Sequence, residues 1–93
     1  MPVGSLDVSV TVPADIIFKD LDGEAVILNL QSGLYFGLDH VGTRIWRLCE
    51  ELGSLRAVWE AMQREFEASG DALQADLLEF VGELTAHGLV AVR

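Results

Sequence analysis

The sequence predicts an α+β domain resembling a winged helix-turn-helix, with an N-terminal three-stranded antiparallel sheet followed by three helices. Three observations carry that expectation. Apolar residues alternate with a period of two before Leu38 and recur at helical spacing after Asp39. Turn residues punctuate both halves, Asp22-Gly23 and Gln31-Ser32-Gly33 first, then Gly53-Ser54 and Ser69-Gly70. The chain has 93 residues, 51% of them apolar, which is enough for one hydrophobic core and too little for two. Residues 1–93 therefore read as a single domain, in which 1–12 form a variable N-terminal arm or an extra strand.

Within that arm Val8, Val10 and Val12 alternate with Ser9 and Thr11 until Pro13 stops the pattern. Whether this stretch pairs with the sheet or dangles is open. Ile16-Ile17-Phe18 continue extended, and Asp22-Gly23 is a strong short-range hairpin signal. Ala25 to Leu30 is a short strand rich in β-branched residues, and Leu34 to Leu38 returns beside it after Gly33. Asp39 then caps a first helix whose stripe is Val41, Ile45, Leu48 and Leu52, with Trp46 and Cys49 beside it. Gly53 ends that helix and Ser54 caps the second, which carries Leu55, Val58, Trp59, Met62 and Phe66. Asp71 is expected to cap the third, with Leu73, Leu77, Phe80, Val81 and Leu84 on one side. Gly88 occupies a left-handed C′ position, and Leu89 to Val92 reads as a short closing strand.

Composition excludes several functions. The net charge of −9 repels nucleic-acid phosphates, and the six basic residues form no run, so no nucleic-acid partner is expected. No apolar run is long enough for a membrane span, and the N-terminus has neither the basic start nor the apolar block of a signal peptide, so a cytoplasmic protein without membrane contact is expected. Cys49 is the only cysteine, which rules out an intrachain disulfide and a cysteine zinc cluster. His40 and His87 lie at opposite ends of the helical half. Glu50 and Glu51 beside Cys49 favour a raised thiol pKa and a role as small apolar filler. No phosphate loop, metal-ligand spacing or nucleophile elbow is present, so neither catalysis nor a metal or cofactor is expected.

The informative segment is Leu34 to Leu38. It carries no charge and is last in the meander, where a strand leaves main-chain donors and acceptors unpaired. In one reading Val8–Val12 or Leu89–Val92 covers that edge and Gly37 marks a bulge. In the other the edge is open and receives a peptide as an added strand.

The run from Asp22 to Trp46, with "SGLYFGLD" and "VGTRIW" as its specific parts, resembles the core of PqqD-like proteins. The segment from Asp76 to Leu84, followed by Gly88-Leu89-Val90, is similar to that family's last helix and tail. The resemblance implies a non-catalytic recognition element that binds the leader region of a ribosomally made precursor peptide. It implies a leader strand added antiparallel to Leu34, Tyr35, Phe36, Gly37 and Leu38, and a helical wall from Ala72 to Ala86 offering Asp76, Leu77, Phe80, Val81 and Leu84. Tyr35 and Phe80 are expected to touch the peptide, whereas Phe36 and Leu38 are expected to matter more to folding.

The stretch "YFGLDHVGTRIW" looks closest to the stand-alone leader-binding proteins of lasso-peptide clusters. That likeness implies a modifying partner such as a leader peptidase or cyclase. The alternative within the family is delivery of a precursor to a radical SAM enzyme, in the pyrroloquinoline quinone or a related pathway. Outside it stand a winged-helix DNA binder, which the acidic surface disfavours, and a homodimer formed through the same apolar edge.

Overall fold

The computed structural model describes residues 4–93; the first three residues of the expected arm lie outside them. In chain order the elements are β1 (Val10–Thr11), β2 (Ile16–Leu21), β3 (Glu24–Asn29), β4 (Tyr35–Leu38), α1 (His40–Leu52), α2 (Leu55–Glu65), α3 (Gly70–Ala86) and β5 (Ala91–Val92). Strands β2, β3 and β4 form an antiparallel sheet in that order, and the three helices follow it, as the sequence predicts.

The first hairpin sets the register. Asp22 and Gly23 have φ of 62° and 89°, the two positive values that a type I′ turn needs to match the twist of its strands. Leu21 therefore faces Glu24, and the row Phe18, Ile27, Phe36 crosses all three strands on one face. Side chains alternate along a strand, so Ala25, Ile27 and Asn29 turn inward and are buried. The opposite face carries Ile17, Leu28 and Tyr35 in a second row.

The helices cover the inner face. Trp46 of α1 is fully buried and stacks on Phe18, with ring centroids 5.6 Å apart and planes within 5°. Leu55, Val58 and Met62 of α2 complete the core with Leu73, Leu77 and Val81 of α3. Ser54 caps α2 by accepting from the Ala57 N–H, and Gly53 before it takes the positive φ that ends α1.

One point that the sequence leaves open is decided, and two details differ from the sequence expectation. Val8–Val12 does not extend the meander: Val10 and Thr11 pair with Val92 and Ala91 in a separate two-stranded sheet. Pairing with each other satisfies both segments. In α1 Val41 and Leu52 are 51% and 44% exposed, and the buried face runs through Gly42, Thr43, Ile45, Trp46, Leu48 and Cys49. A helix packed against the sheet strands and α2 at once buries a wide arc, so the narrow stripe misplaces its edges. Ser69 rather than Asp71 caps α3, accepting from the Ala72 N–H, which leaves Asp71 in the first turn where the helix dipole favours a negative charge.

At Gly23 a Cβ atom would stand 3.0 Å from His40 Nδ1 as well as in the left-handed region. Gly23→Ala is expected to destabilise the domain by about 1–2 kcal/mol, read as a lowered urea midpoint with an unchanged slope.

Candidate functional site

Among the described residues β4 has a strand neighbour on one side only. The Leu34 carbonyl accepts from the Asn29 N–H at 2.9 Å, which fixes the phase of the ladder. Since a residue's N–H and C=O point the same way in a strand, Phe36 and Leu38 address β3 while Tyr35 and Gly37 direct theirs outward. A Cβ built on Gly37 meets nothing within 4 Å, so a second backbone can approach there without steric obstruction.

Across from this edge stands α3, and a cleft made of adjoining recesses lies between them. Its largest part, about 500 Å³, is lined by Gly37, Leu38, Asp39, Val41, Gly42, Ile45, Asp76 and Phe80. A smaller recess of about 140 Å³ lies under Phe36, Leu38, Phe80, Leu84, His87 and Leu89, and also touches Gly37 and Glu83. A third, about 230 Å³, is bounded by Asp76, Glu79, Phe80 and Glu83. Phe80 borders all three and sits at the centre.

The N-terminal turn of α1 closes one end. Asp39 caps it by accepting from the Gly42 N–H at 2.8 Å. Gly42 is buried against Leu38, where a Cβ would come 3.5 Å from the Leu38 side chain and 3.3 Å from the Asp39 carboxylate. Next to it, buried Thr43 accepts from the Ala25 N–H at 3.0 Å and donates to the Leu38 carbonyl at 3.4 Å.

Of the residues singled out in the sequence, Phe36, Gly37, Leu38, Asp76, Phe80 and Leu84 line the cleft. Leu77 and Val81 are fully buried and hold α3 to the core from behind. Leu34 precedes β4 and is exposed, and Tyr35 lies on the outer sheet face, 73% exposed, so Phe36 and Leu38 rather than Tyr35 offer their side chains to the cleft. Val41 and Ile45 enter the lining unannounced, because a helical stripe does not reveal which of its apolar residues overhang a gap. His87 also borders the smaller recess, its ring 4.7 Å from that of Phe36.

Other titratable groups serve structure. Burial, with a contribution from Glu50, pushes the Cys49 thiol up to about 12, so it is protonated and inert at neutral pH. The Arg44 guanidinium donates to both oxygens of Glu65, at 2.7 and 2.8 Å, and holds that carboxyl below its ordinary range. Among the described residues no group of three or more His, Cys, Asp or Glu is placed to hold a metal ion, and no helix is long and apolar enough to cross a membrane.

Fold and site together define a winged-helix α+β domain in which a free strand edge faces a helix across an apolar cleft. The family described as Coenzyme PQQ synthesis protein D (PqqD) matches residues 24–90, and the chain belongs to it. Among solved structures it is similar to TbiB1 in complex with the TbiA(beta) leader peptide, at 34% identity over 85% of this chain and 92% of that one, with a TM-score of 0.81. A lasso peptide synthetase B1 complexed with the leader peptide shares the fold at 20% identity, over 89% and 98% of the two chains, with a TM-score of 0.81. No curated protein matches the sequence.

Thr43→Val removes the hydroxyl that accepts from the buried Ala25 N–H and donates to the Leu38 carbonyl, and is expected to cost about 1–3 kcal/mol in chemical unfolding. The Cys49 thiol ionises near 9.0 in an unstructured chain and near 12 when folded, so the unfolded state loses its proton first and stability falls as pH rises between those values. Cys49→Val should flatten that part of the stability profile; an unchanged slope would assign it to other groups.

Proposed function

We propose that this protein is a non-catalytic adaptor that binds the leader region of a ribosomally made precursor peptide by strand addition to β4. In this reading it presents the peptide to a modifying enzyme or leader peptidase of lasso-peptide biosynthesis. The observation that carries the reading is the outward row of main-chain groups at Tyr35 and Gly37 facing an apolar cleft walled by Phe80. Likeness to TbiB1, whose solved complex holds a leader peptide, supports a leader peptide as the guest. The family's own description favours a second reading, delivery of a precursor to a cofactor-synthesis enzyme, which would use the same edge.

The energetics fit a carrier. Each main-chain hydrogen bond gives roughly 0.5–1.5 kcal/mol net. Each apolar side chain seated in the cleft adds about 1.5–3 kcal/mol. Association costs roughly 4–15 kcal/mol, so the edge alone is marginal and the cleft supplies discrimination. Release follows readily from such a balance, and holding the precursor near an enzyme raises its local concentration without any chemical step.

The test uses a fluorescently labelled leader from the precursor encoded nearest this gene. Gly37→Pro deletes an outward N–H while leaving the ladder to β3 intact, because that donor faces away from it. A folded Gly37→Pro variant should bind at least about tenfold more weakly, through the lost bond and the ring's bulk. Phe80→Asp should lose affinity to a similar or greater degree, and Tyr35→Asp much less. Full affinity in both Gly37→Pro and Phe80→Asp would overturn the reading.

A further inference from the structure

We infer that Asn29 is a positioning residue: it ties the end of α3 to the β3–β4 turn and so sets the size of peptide side chain that the small recess admits. The inference rests on the strand-addition reading. Among the described residues only Asn29 and Thr43 are both polar and buried, and they stand at opposite ends of the β3–β4 ladder.

Every polar group of Asn29 is engaged. Its N–H donates to the Leu34 carbonyl and its carbonyl accepts from the Gly33 N–H, both at 2.9 Å. Its Oδ1 accepts from the N–H groups of Gln31 at 2.9 Å and Ser32 at 3.4 Å, which leaves Nδ2 as the donor and fixes the orientation of the amide. Nδ2 donates at 3.3 Å to the carbonyl of His87, the C-cap of α3. The turn uses only the acceptor half of that amide, and Asp or Ser would serve it as well. The donor half reaches across to a carbonyl that, at a helix end, has no partner within the helix. Gly88, with φ of 70°, permits the approach, since a Cβ there would stand 3.3 Å from Nδ2.

What the bond holds is one wall of the cleft. α3 packs chiefly on α2, and the recesses lie between it and β4. Among the described residues no other hydrogen bond joins α3 or its cap to the β2–β4 sheet. His87 also rests its ring on Phe36 at 4.7 Å, and it lines the recess of about 140 Å³ together with Phe36, Leu84 and Leu89. The short amide bridge therefore sets how far the end of α3 stands from the sheet, and with it the width of a recess that has room for one side chain. In a pocket of fixed width a single methylene changes affinity by roughly 10–200-fold, so a rigid bridge here becomes size selection.

The test compares the full chain with Asn29→Asp, which keeps the acceptor for the turn and loses the donor. Asn29→Ser does the same without charge and serves where a buried carboxylate prevents folding; circular dichroism checks each fold. The probe is the labelled leader from the precursor encoded nearest this gene, with each apolar position replaced in turn by Ala, Leu and Trp. Amide exchange at His87, Gly88 and Leu89 should quicken in the variants, while that at Leu77 and Val81 stays as it was. At one leader position the wild type should prefer its best side chain over Trp by at least about tenfold. The folded variants should bind more weakly and narrow that preference to within about threefold. A preference that survives intact in the variants, whether or not affinity falls, overturns the inference and leaves strand addition standing, as does unchanged exchange at His87 to Leu89. A wild type that binds no member of the panel overturns strand addition and this inference together.

Discussion

The architecture depends on one hydroxyl. At the end of the β3–β4 ladder, where Ala25 faces Leu38, buried Thr43 stands between the strands and α1 and bonds to both. A main-chain donor buried without a partner costs about 1–3 kcal/mol, so the contact fixes where α1 begins as well as how the sheet ends. Gly42 beside it allows the helix to approach Leu38 closely. With α1 pinned there, Val41 and Ile45 project into the gap next to β4, and the cleft acquires a floor and an end wall.

The other wall is secured from behind. Leu77 and Val81 lie in the core and fix the rotation of α3, which leaves Phe80 and the ridge from Asp76 to Glu83 on the side facing the open strand. The short sheet formed by β1 and β5 contributes indirectly. By pairing the arm with the tail, and through the Ser9–Ser54 bridge with the start of α2, it keeps both segments off the β4 edge. A strand end that either segment could have capped is thus left unpaired by topology.

Much of this was legible in the residues. The change of period at Asp39, the Asp22-Gly23 turn and the glycines at 53 and 88 each specify a local conformation with few alternatives, and the elements follow them closely. The edge position of Leu34–Leu38 was likewise deducible from meander order. Long-range choices were less accessible. Nothing local decides that Val10 pairs with Val92, because two-residue strands carry almost no pattern of their own. Nor does a helical stripe separate Val41, which overhangs the cleft, from Ile45, which also reaches the core. The face of Tyr35 follows only from the register, which the turn after Asn29 fixes and the composition of β4 does not.

Alternation along β4 has a consequence for what the protein can read. A peptide laid beside Gly37 turns every second side chain toward Phe80 and shows the intervening ones to the side where Tyr35, Leu28 and Ile17 lie. Under the proposed strand addition, this chain imposes selection through the cleft on only half of its guest's positions. The remaining half stays legible from outside while the guest is held, so two proteins could inspect the same short sequence at once without competing for a single residue.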